Sequence, residues 1–408
     1  MQEKSTLVNT SGRLDEHLKY KSNIWKLYLF TILLNFHFIS GILLPFFLEW
    51  GGLNFFQVML LQGFFTSMIF VFEIPCGAIS DYLSRRFSLI LSALVTAIAV
   101  FIYGSTPHII AFIIGETLWG LGGALLSGTN QALIYDTLRK LDRTRDIKKI
   151  MARNQSMMLV GILISAPIGS MFALTIPLNV IMQLMAIPFL LAMVTALTFK
   201  EPNEELVPTQ SESYIEIIRS GFQDLRNIKT LRILAIDAII GDIIAFYLIW
   251  MYQVYLESLG ISIVLFGFVA AGMTISQMTL TTALPEIEQK FANKKRFLKI
   301  YTIIPALGFI TMAFFYAPIL GVILILITIG FGMSRKFIFT HAINNVIESE
   351  NRATVLSTIS MFECMLRGAL FPLIGILVML NLNITFLILG SGLILLALTS
   401  RVKDEHLT

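Results

Sequence analysis

The positions of the lysines and arginines constrain this chain more than any other feature. The chain has 408 residues, of which 30 are lysine or arginine. Apart from Arg335, Lys336 and Arg367, these cations lie in the two tails, in alternate connections between apolar segments, or at the edges of those segments. The remaining connections carry none. Because cationic loops resist translocation, this asymmetry predicts a multi-pass membrane protein with both ends in the cytoplasm.

Apolar windows of sufficient length to cross a bilayer recur along the chain. A hydrocarbon core of about 30 Å takes roughly 20 helical residues. Since lipid offers backbone groups no hydrogen-bonding partner, each window is predicted to be a helix. The fold predicted is an all-α integral membrane protein of twelve transmembrane helices. The windows lie near residues 25–48, 55–79, 87–104, 109–135, 156–176, 178–198, 231–256, 261–284, 297–316, 318–340, 354–380 and 383–400.

The composition agrees with a membrane protein and excludes several other classes. Hydrophobic residues make up 56% of the chain and charged residues 14%, whereas an average soluble domain is about 25% charged. The net charge of +4 lies on predicted cytoplasmic loops, so it indicates contact with anionic lipid rather than with nucleic acid. Cys76 and Cys364 both fall in predicted spans, so no disulfide framework is expected.

One long connection divides the chain into two sets of six spans, which predicts two six-helix bundles. Within this connection, apolar residues recur every three or four positions over 213–229, which predicts an amphipathic helix along the inner membrane surface. A linker without a regulatory role is the simpler alternative. The predicted parts in chain order are a cytoplasmic tail at 1–24, a bundle at 25–198, a cytoplasmic linker at 199–230, a bundle at 231–400 and a cytoplasmic tail at 401–408.

A ten-residue motif follows the second predicted span. It reads Gly77-Ala78-Ile79-Ser80-Asp81-Tyr82-Leu83-Ser84-Arg85-Arg86. It resembles the loop motif of the major facilitator superfamily, which runs glycine, three residues, aspartate, basic, any, glycine, basic, basic. Four positions match, namely Gly77, Asp81, Arg85 and Arg86, while a tyrosine and a serine replace a basic residue and a glycine. The location between spans 2 and 3 of a chain with six and six spans also resembles the family.

The resemblance implies a cytoplasmic gate. In the family, the aspartate accepts hydrogen bonds from the start of span 11, where unpaired N–H groups favour negative charge. The basic residue pairs with an acid at the inner end of span 4, where Asp136 stands in this chain. Such a contact would close the inner face in the outward-facing state only. The alternative is that Arg85 and Arg86 only anchor the loop at the membrane surface.

Five further regions resemble the family. Residues 116–122 resemble a span 4 pattern of arginine, three residues, glycine, any, glycine, with Glu116 in place of the arginine. Residues 165–170 resemble the antiporter motif of span 5, although a proline among small residues also serves close packing and a kink. Residues 73–77, 127–136 and 352–357 resemble an efflux-related prokaryotic branch.

Ionisable side chains inside predicted spans are candidate functional residues, because a charge at the bilayer centre costs at least about 2.5–3.5 kcal/mol. Apart from Arg232 at the edge of a span, Glu116 and Asp242 have no opposite charge in their own segments, so they are the proton-coupling candidates. Glu363 and Arg367 are four residues apart, so they either neutralise each other or act in transport. The substrate-cavity candidates are Asn35, His37, Trp119, Arg335, Glu363 and Arg367.

These features together predict a secondary transporter that works by alternating access, with proton-coupled export of a small organic or amphipathic compound. One alternative is an importer or uniporter of an anionic metabolite, bound by Arg335 or Arg367. A membrane enzyme or receptor is the other. The chain has no Walker, metalloprotease or nucleophile-elbow motif, so no enzyme is expected. We expect a monomer in the cell membrane that binds a small-molecule substrate and lipid, with the proton as coupling ion and without cofactor, metal or nucleic acid.

Overall fold

The structure is a computed structural model. It describes the backbone of residues 2–82, 84–201, 222–223, 225–347 and 352–407, and the side chains of these residues other than 2–16, 74–75, 77–82 and 352–353. The helices in chain order are α1 (Gln2–Leu34), α2 (Phe55–Tyr82), α3 (Arg85–Tyr103), α4 (Ile109–Leu126), α5 (Thr129–Lys140), α6 (Ile147–Phe172), α7 (Leu178–Leu184), α8 (Ala186–Leu197), α9 (Lys229–Phe246), α10 (Leu248–Ser258), α11 (Ile263–Gln289), α12 (Lys294–Phe314), α13 (Pro318–Val346), α14 (Arg352–Leu380) and α15 (Leu382–Thr399).

Within the described chain, eleven helical segments are long and apolar enough to cross a membrane, judged by length and composition. Each coincides with one of the predicted spans 2 to 12, so the prediction of an all-α multi-pass membrane fold is confirmed. Three of these spans consist of two helices that meet at an interruption, as α4 and α5 do at Gly128, whose φ is +73°. The amphipathic helix predicted at 213–229 lies mostly outside the described residues.

The first predicted span, residues 25–48, is interrupted rather than continuous. The α1 helix ends at Leu34, and the chain continues as a 3-10 turn at Phe38–Gly41, a short α-helical turn at Leu43–Pro45 and a π-helical turn at Phe46–Trp50. The side-chain amide of Asn35 donates to the carbonyl of Thr31 at 2.8 Å. This bond competes with the regular ladder and favours a break.

Pro45 explains the second irregularity in this span. Proline has no N–H to continue the ladder, and the bond that follows is the wide one from Gly51 N to Phe46 O at 2.9 Å. Non-helical backbone at membrane depth is tolerated only where protein covers it. Here α6 covers part of it, because a Cβ added at Gly169 would overlap the Phe38 carbonyl group. A hydropathy window detects none of these departures.

Contacts divide the chain into two units. Unit 1 comprises Met1–Ser40 and Ser67–Thr209, and unit 2 comprises Gly41–Thr66 and Gln210–Thr408. The sequence division predicted at 199–230 thus differs from the contact division at Gly41–Thr66, which groups with the second set of spans. Two contacts explain this: the Leu44 N–H donates to Gln253 Oε1 of α10 at 2.9 Å, and Gly375 of α14 lies against Phe56 of α2.

Unit 1 is built around α3. This helix packs against α4 and α8, while α1 packs against α6 and α8. We call the end of each unit that carries its lysine- and arginine-bearing connections the basic end. In unit 1 this end holds the start of α3, the end of α5 and the residues after α8.

Unit 2 is built around α13. This helix packs against α9, α11 and α12, and α12 also packs against α15. The residues after α15 fold back onto the basic end, where Val402 and Leu407 are buried in a core with Leu231 and Phe297. Asp404 Oδ1 accepts a hydrogen bond from Lys295 N at 2.8 Å, at the start of α12. The chain after the last span is therefore part of the unit 2 core.

A substitution at Gly169 tests whether α6 packs against the interrupted first span at Phe38. A Gly169→Ala change would force backbone apart where α6 meets Phe38, so we expect the protein to lose about 1–3 kcal/mol of stability. A Gly123→Ala change in α4 is the matched control, because its Cβ would lie 4.0 Å from Ile69 Cγ1. Thermal unfolding of the purified variants measures both. Equal melting temperatures for the two variants would contradict this contact.

Candidate functional site

Two residues of the gate predicted from the sequence, Arg85 and Asp136, come together at the basic end of unit 1. Arg85 Nη1 forms an ion pair with Asp136 Oδ2, so the structure brings together the basic residue after span 2 and the acid at the end of span 4. The side chains are partly buried, with 27% and 15% of their surfaces exposed. The side chain of Asp81 and the surroundings of Gly77 lie outside the described residues. The role of the pair as a gate stays a prediction.

Helix capping holds Arg85 in position. The Ser84 hydroxyl accepts a hydrogen bond from Phe87 N at 3.0 Å, as an N-cap residue does. The Glu201 carboxylate accepts hydrogen bonds from Arg85 N at 2.8 Å and from Arg86 N at 3.2 Å. Negative charge is favourable at a helix N-terminus. The first N–H groups of α3 are thus bound by an acid from beyond α8.

Glu201 was missed by the sequence reasoning, which assigned it to the linker. Its only signal is an acid placed directly after an apolar span. The adjoining Lys200 is also fixed: its N–H donates to Asn23 Oδ1 at 3.0 Å, and Asn23 Nδ2 donates to its carbonyl oxygen at 2.8 Å. Arg86 donates through its guanidinium to the Leu197 carbonyl oxygen. The start of the linker is therefore tied to α1 and α3.

The ion pair can be tested by a double-mutant cycle on unfolding free energy with Arg85→Gln and Asp136→Asn. Because both groups are partly buried, we expect a coupling near the upper end of the range for surface pairs, about 1 kcal/mol. The exposed pair of Arg143 and Asp146, at 45% and 38% exposure, is the control and should show a smaller coupling. A coupling energy of zero between Arg85 and Asp136 would exclude this pair as part of the gate.

The candidates of the first and fourth spans form one aromatic cluster in unit 1. The ring centroids of His37 and Trp119 are 5.6 Å apart, and those of Trp119 and Tyr103 are 6.0 Å apart. Phe189 contacts both His37 and Trp119, at 5.7 and 6.1 Å. Glu116 is buried beside this cluster, hydrogen-bonded with Tyr103. The sequence reasoning missed Tyr103 and Phe189, because aromatic residues in apolar spans look like core.

Two of these candidates use their polar atoms on their own chain segment. His37 Nε2 lies 3.0 Å from the carbonyl oxygen of Leu34, and the Asn35 amide binds the Thr31 carbonyl. Both side chains therefore satisfy backbone groups where α1 ends. Their contacts favour a structural role at the break over direct substrate recognition.

Arg335 is held by a buried ion pair in unit 2. Its guanidinium donates to the Asp237 carboxylate, to the Asp237 carbonyl at 3.0 Å and to Thr302 Oγ1 at 2.9 Å. It lies 4.7 Å from the ring centroid of Phe339, and the absence of a side chain at Gly241 leaves it room. Because each guanidinium nitrogen atom binds a protein group, the contacts of Arg335 favour a structural role over binding of a substrate anion.

Removing one partner of this pair should destabilise the protein more than removing both. A buried charge left alone costs about 3–5 kcal/mol, so Asp237→Leu and Arg335→Met should each lower the melting temperature strongly. The double variant should recover most of the loss and keep transport activity. The exposed pair of Lys403 and Glu405 is the control. An Arg335→Met protein that is stable yet inactive would instead support a role in binding.

Four ionisable groups meet in a second cluster of unit 2, which we call the carboxyl cluster: Asp242, Lys336, Glu363 and Arg367. Glu363 accepts hydrogen bonds from Arg367 Nη2 at 2.9 Å and from Lys336 Nζ at 3.0 Å, one on each oxygen. The Asp242 carboxyl group lies close enough to Glu363 to interact with it as well. Both carboxyl groups are buried. The pair of Glu363 and Arg367 predicted from spacing is thus one part of a larger group.

The contacts of the carboxyl cluster suit one protonated and one ionised carboxyl group. Two carboxyl groups form a hydrogen bond only if one of them carries a proton. Both Glu363 oxygens already accept from cations, which identifies Glu363 as the ionised partner. Asp242 Oδ1 is buried without a hydrogen-bond partner among the described residues, which an acid tolerates better than a carboxylate does. Of the two acids, Asp242 is thus the one whose surroundings suit a proton.

The cations of the carboxyl cluster differ in their surroundings. Arg367 stacks on Phe246, with 4.3 Å from the guanidinium carbon to the ring centroid, and its carbonyl accepts a hydrogen bond from Tyr247 Oη at 2.6 Å. Lys336 is more open, with 46% of its side chain exposed. Sequence spacing alone could not join α13 to α14, so Lys336 was missed as a partner of Glu363.

Comparison with known proteins gives one family. A sequence model of the Major Facilitator Superfamily matches residues 27–372. An uncharacterized transporter of Buchnera aphidicola subsp. Schizaphis graminum (strain Sg) is 33% identical over 118 residues, which span 29% of this chain and 29% of that protein.

Solved structures of low sequence identity share the fold. A mutant form of the nucleoside transporter NupG has a TM-score of 0.78 at 14% identity, covering 92% of this chain and 98% of that chain. The D-xylose-proton symporter has a TM-score of 0.74 at 16% identity, covering 95% and 99%. At such identities the likeness concerns the fold alone.

Proposed function

The chain belongs to the Major Facilitator Superfamily, and from this premise we propose that it is a proton-coupled secondary transporter of a small organic compound. The observation that carries the proposal is the proximity of two buried carboxyl groups, Asp242 and Glu363, beside the cations Lys336 and Arg367. This arrangement supports one exchangeable proton inside a membrane-spanning segment. Of the two proton-coupling candidates from the sequence, Asp242 is the one that lies in the carboxyl cluster.

A proton site can drive transport only if its occupancy changes the rest of the protein. Loss of the Asp242 proton would put two carboxylates in contact, and like charges at such a distance repel strongly. Lys336 and Arg367 would then have to redistribute between the two acids. Since the cations lie on α13 and α14 and Asp242 lies on α9, proton loss changes the forces between three spans. This is the coupling that a transporter with two conformations requires.

The remaining parts of the proposal rest on the sequence. We place the protein in the cell membrane as a monomer with both termini in the cytoplasm, because the lysine- and arginine-bearing connections all fall on one side of the predicted topology. The pair of Arg85 and Asp136 serves as a cytoplasmic gate. A substrate-binding role for Trp119 and for the adjacent Glu116 is supported by their contacts in one aromatic cluster.

Two directions of transport fit one proton site. Export in exchange for protons follows from the resemblance to an efflux-related branch. Import of an anion is the second candidate, and one observation favours it: the carboxyl cluster holds two cations, of which Lys336 is 46% exposed.

The proton site is tested by infrared spectroscopy and by transport. We expect a protonated carboxyl band near neutral pH that disappears in Asp242→Asn and persists in Glu257→Gln, whose acid lies at the end of α10. Gradient-driven accumulation should be lost in Asp242→Asn and Glu363→Gln, while counterflow exchange, which needs no net protonation cycle, should survive. Substrate for these assays comes from a thermal-shift screen of the purified protein.

Glu116→Gln separates the two acids in the same assays. If Glu116 forms part of the substrate wall, its variant should bind substrate more weakly while its transport still depends on the proton gradient. Full gradient-driven accumulation in both Asp242→Asn and Glu363→Gln would refute proton coupling through the carboxyl cluster.

A further inference from the structure

The carboxyl cluster also indicates which class of compound accompanies the proton, an inference that rests on the proposed function. With the proton on Asp242, the cluster holds two cations, Lys336 and Arg367, and one carboxylate, Glu363. Its net charge is then +1. Without the proton the two carboxylates balance the two cations and the net charge is 0. Protonation therefore creates a cationic excess in the cluster.

No other described group on the packed elements cancels this excess. Helix α9 packs against α13, α14, α15 and α10. On α13, Arg335 is neutralised by Asp237. The α15 segment, Leu382–Thr399, contains no ionisable residue. On α10 the acid is Glu257, fifteen residues beyond Asp242 and one residue from the end of the helix. Tyr247 is neutral and donates to a carbonyl oxygen.

The exposed cation points to a ligand. Lys336 has 46% of its side chain exposed, and an ammonium group inside a membrane-spanning segment requires a polar surrounding or a partner. Glu363 satisfies one of its three N–H donors, at 3.0 Å. Next to it, Arg367 and the ring of Phe246 present a cation on an apolar face. Such a surface suits a compound with an anionic head and an apolar body.

From this geometry we infer that the carboxyl cluster binds a small organic anion together with a proton, so that the two cross the membrane in the same direction. The physical reason is reciprocal linkage: if protonation favours anion binding, anion binding favours protonation to the same extent. A cationic substrate would do the opposite, because it would expel the proton and give exchange. With an inward proton gradient, this inference makes the protein an uptake system.

Binding experiments on the full-length purified protein test the sign of this linkage without a gradient. The probes are benzenesulfonate, phenyl phosphate and benzoate as anions, benzenesulfonamide as the uncharged counterpart and benzylammonium as the cation. Benzenesulfonate stays ionised throughout, so any proton taken up in weakly buffered solution goes to the protein. We expect at least one anion to raise the melting temperature of the protein. Binding of this anion should be accompanied by proton uptake. The affinity of the protein for the anion should fall by up to about tenfold for each unit by which the pH rises.

Variants assign the effect to the carboxyl cluster. Asp242→Asn imitates the protonated acid, so it should still bind the anion but without pH dependence. Lys336→Gln should lose anion binding, Lys336→Arg should retain it, and Lys290→Gln, an exposed lysine at the end of α11, should behave as the unmodified protein does. Asp242→Asn also guards against misfolding as an explanation, since it must bind in order to support the inference.

The opposite results overturn the inference. Stabilisation by benzylammonium with proton release would make the cluster a cation exchanger and leave the proposed proton coupling intact. Anion binding that is independent of pH in the unmodified protein, or the failure of every anion to bind, would also refute it. The proposed function fails separately, if gradient-driven accumulation persists in Asp242→Asn and Glu363→Gln.

Discussion

Hydrocarbon offers no hydrogen-bonding partner to a backbone amide or to a charged side chain, and both units are organised by that constraint. It requires the spans to be helical. It also requires that a break in a helix be covered, as Gly169 allows at Phe38 and as Gln253 does at Leu44. The same requirement explains why Arg335 lies against Asp237, and why Lys336 and Arg367 lie against Glu363, inside the spans of unit 2.

The ion pair of Arg335 with Asp237 and the carboxyl cluster, both in unit 2, differ in how accessible their charges are. Arg335 and Asp237 form what we call a closed pair, because each guanidinium nitrogen atom is bound to Asp237 or Thr302. The carboxyl cluster is open, by which we mean that one of its members is accessible: of its two acids and two cations, Lys336 has 46% of its side chain exposed. A closed pair mainly stabilises helix packing, whereas an open cluster can change its charge. Of these two clusters, the open one is the one on which the proposed proton coupling depends.

The ends of the helices carry a second layer of polar contacts. At the basic end of unit 1, Glu201 binds the first N–H groups of α3, and the same helix start presents Arg85 to Asp136. At the basic end of unit 2, Asp404 binds the start of α12. In both cases an acid that follows the last span of a unit meets a helix N-terminus, where its charge is favourable.

Hydropathy and cation placement by themselves determined the class of fold and eleven of the spans, because both depend on local composition and on the bilayer. The pairing of Glu363 with Arg367 also followed from the sequence, since residues four apart share a helix face. The break at Asn35 and Pro45 has local causes that a hydropathy window does not detect. Tertiary structure alone decided that Lys336 and Asp242 join the pair and that Arg335 pairs with Asp237. Each depends on which helices lie side by side, and a periodicity within one segment carries no information about its neighbours.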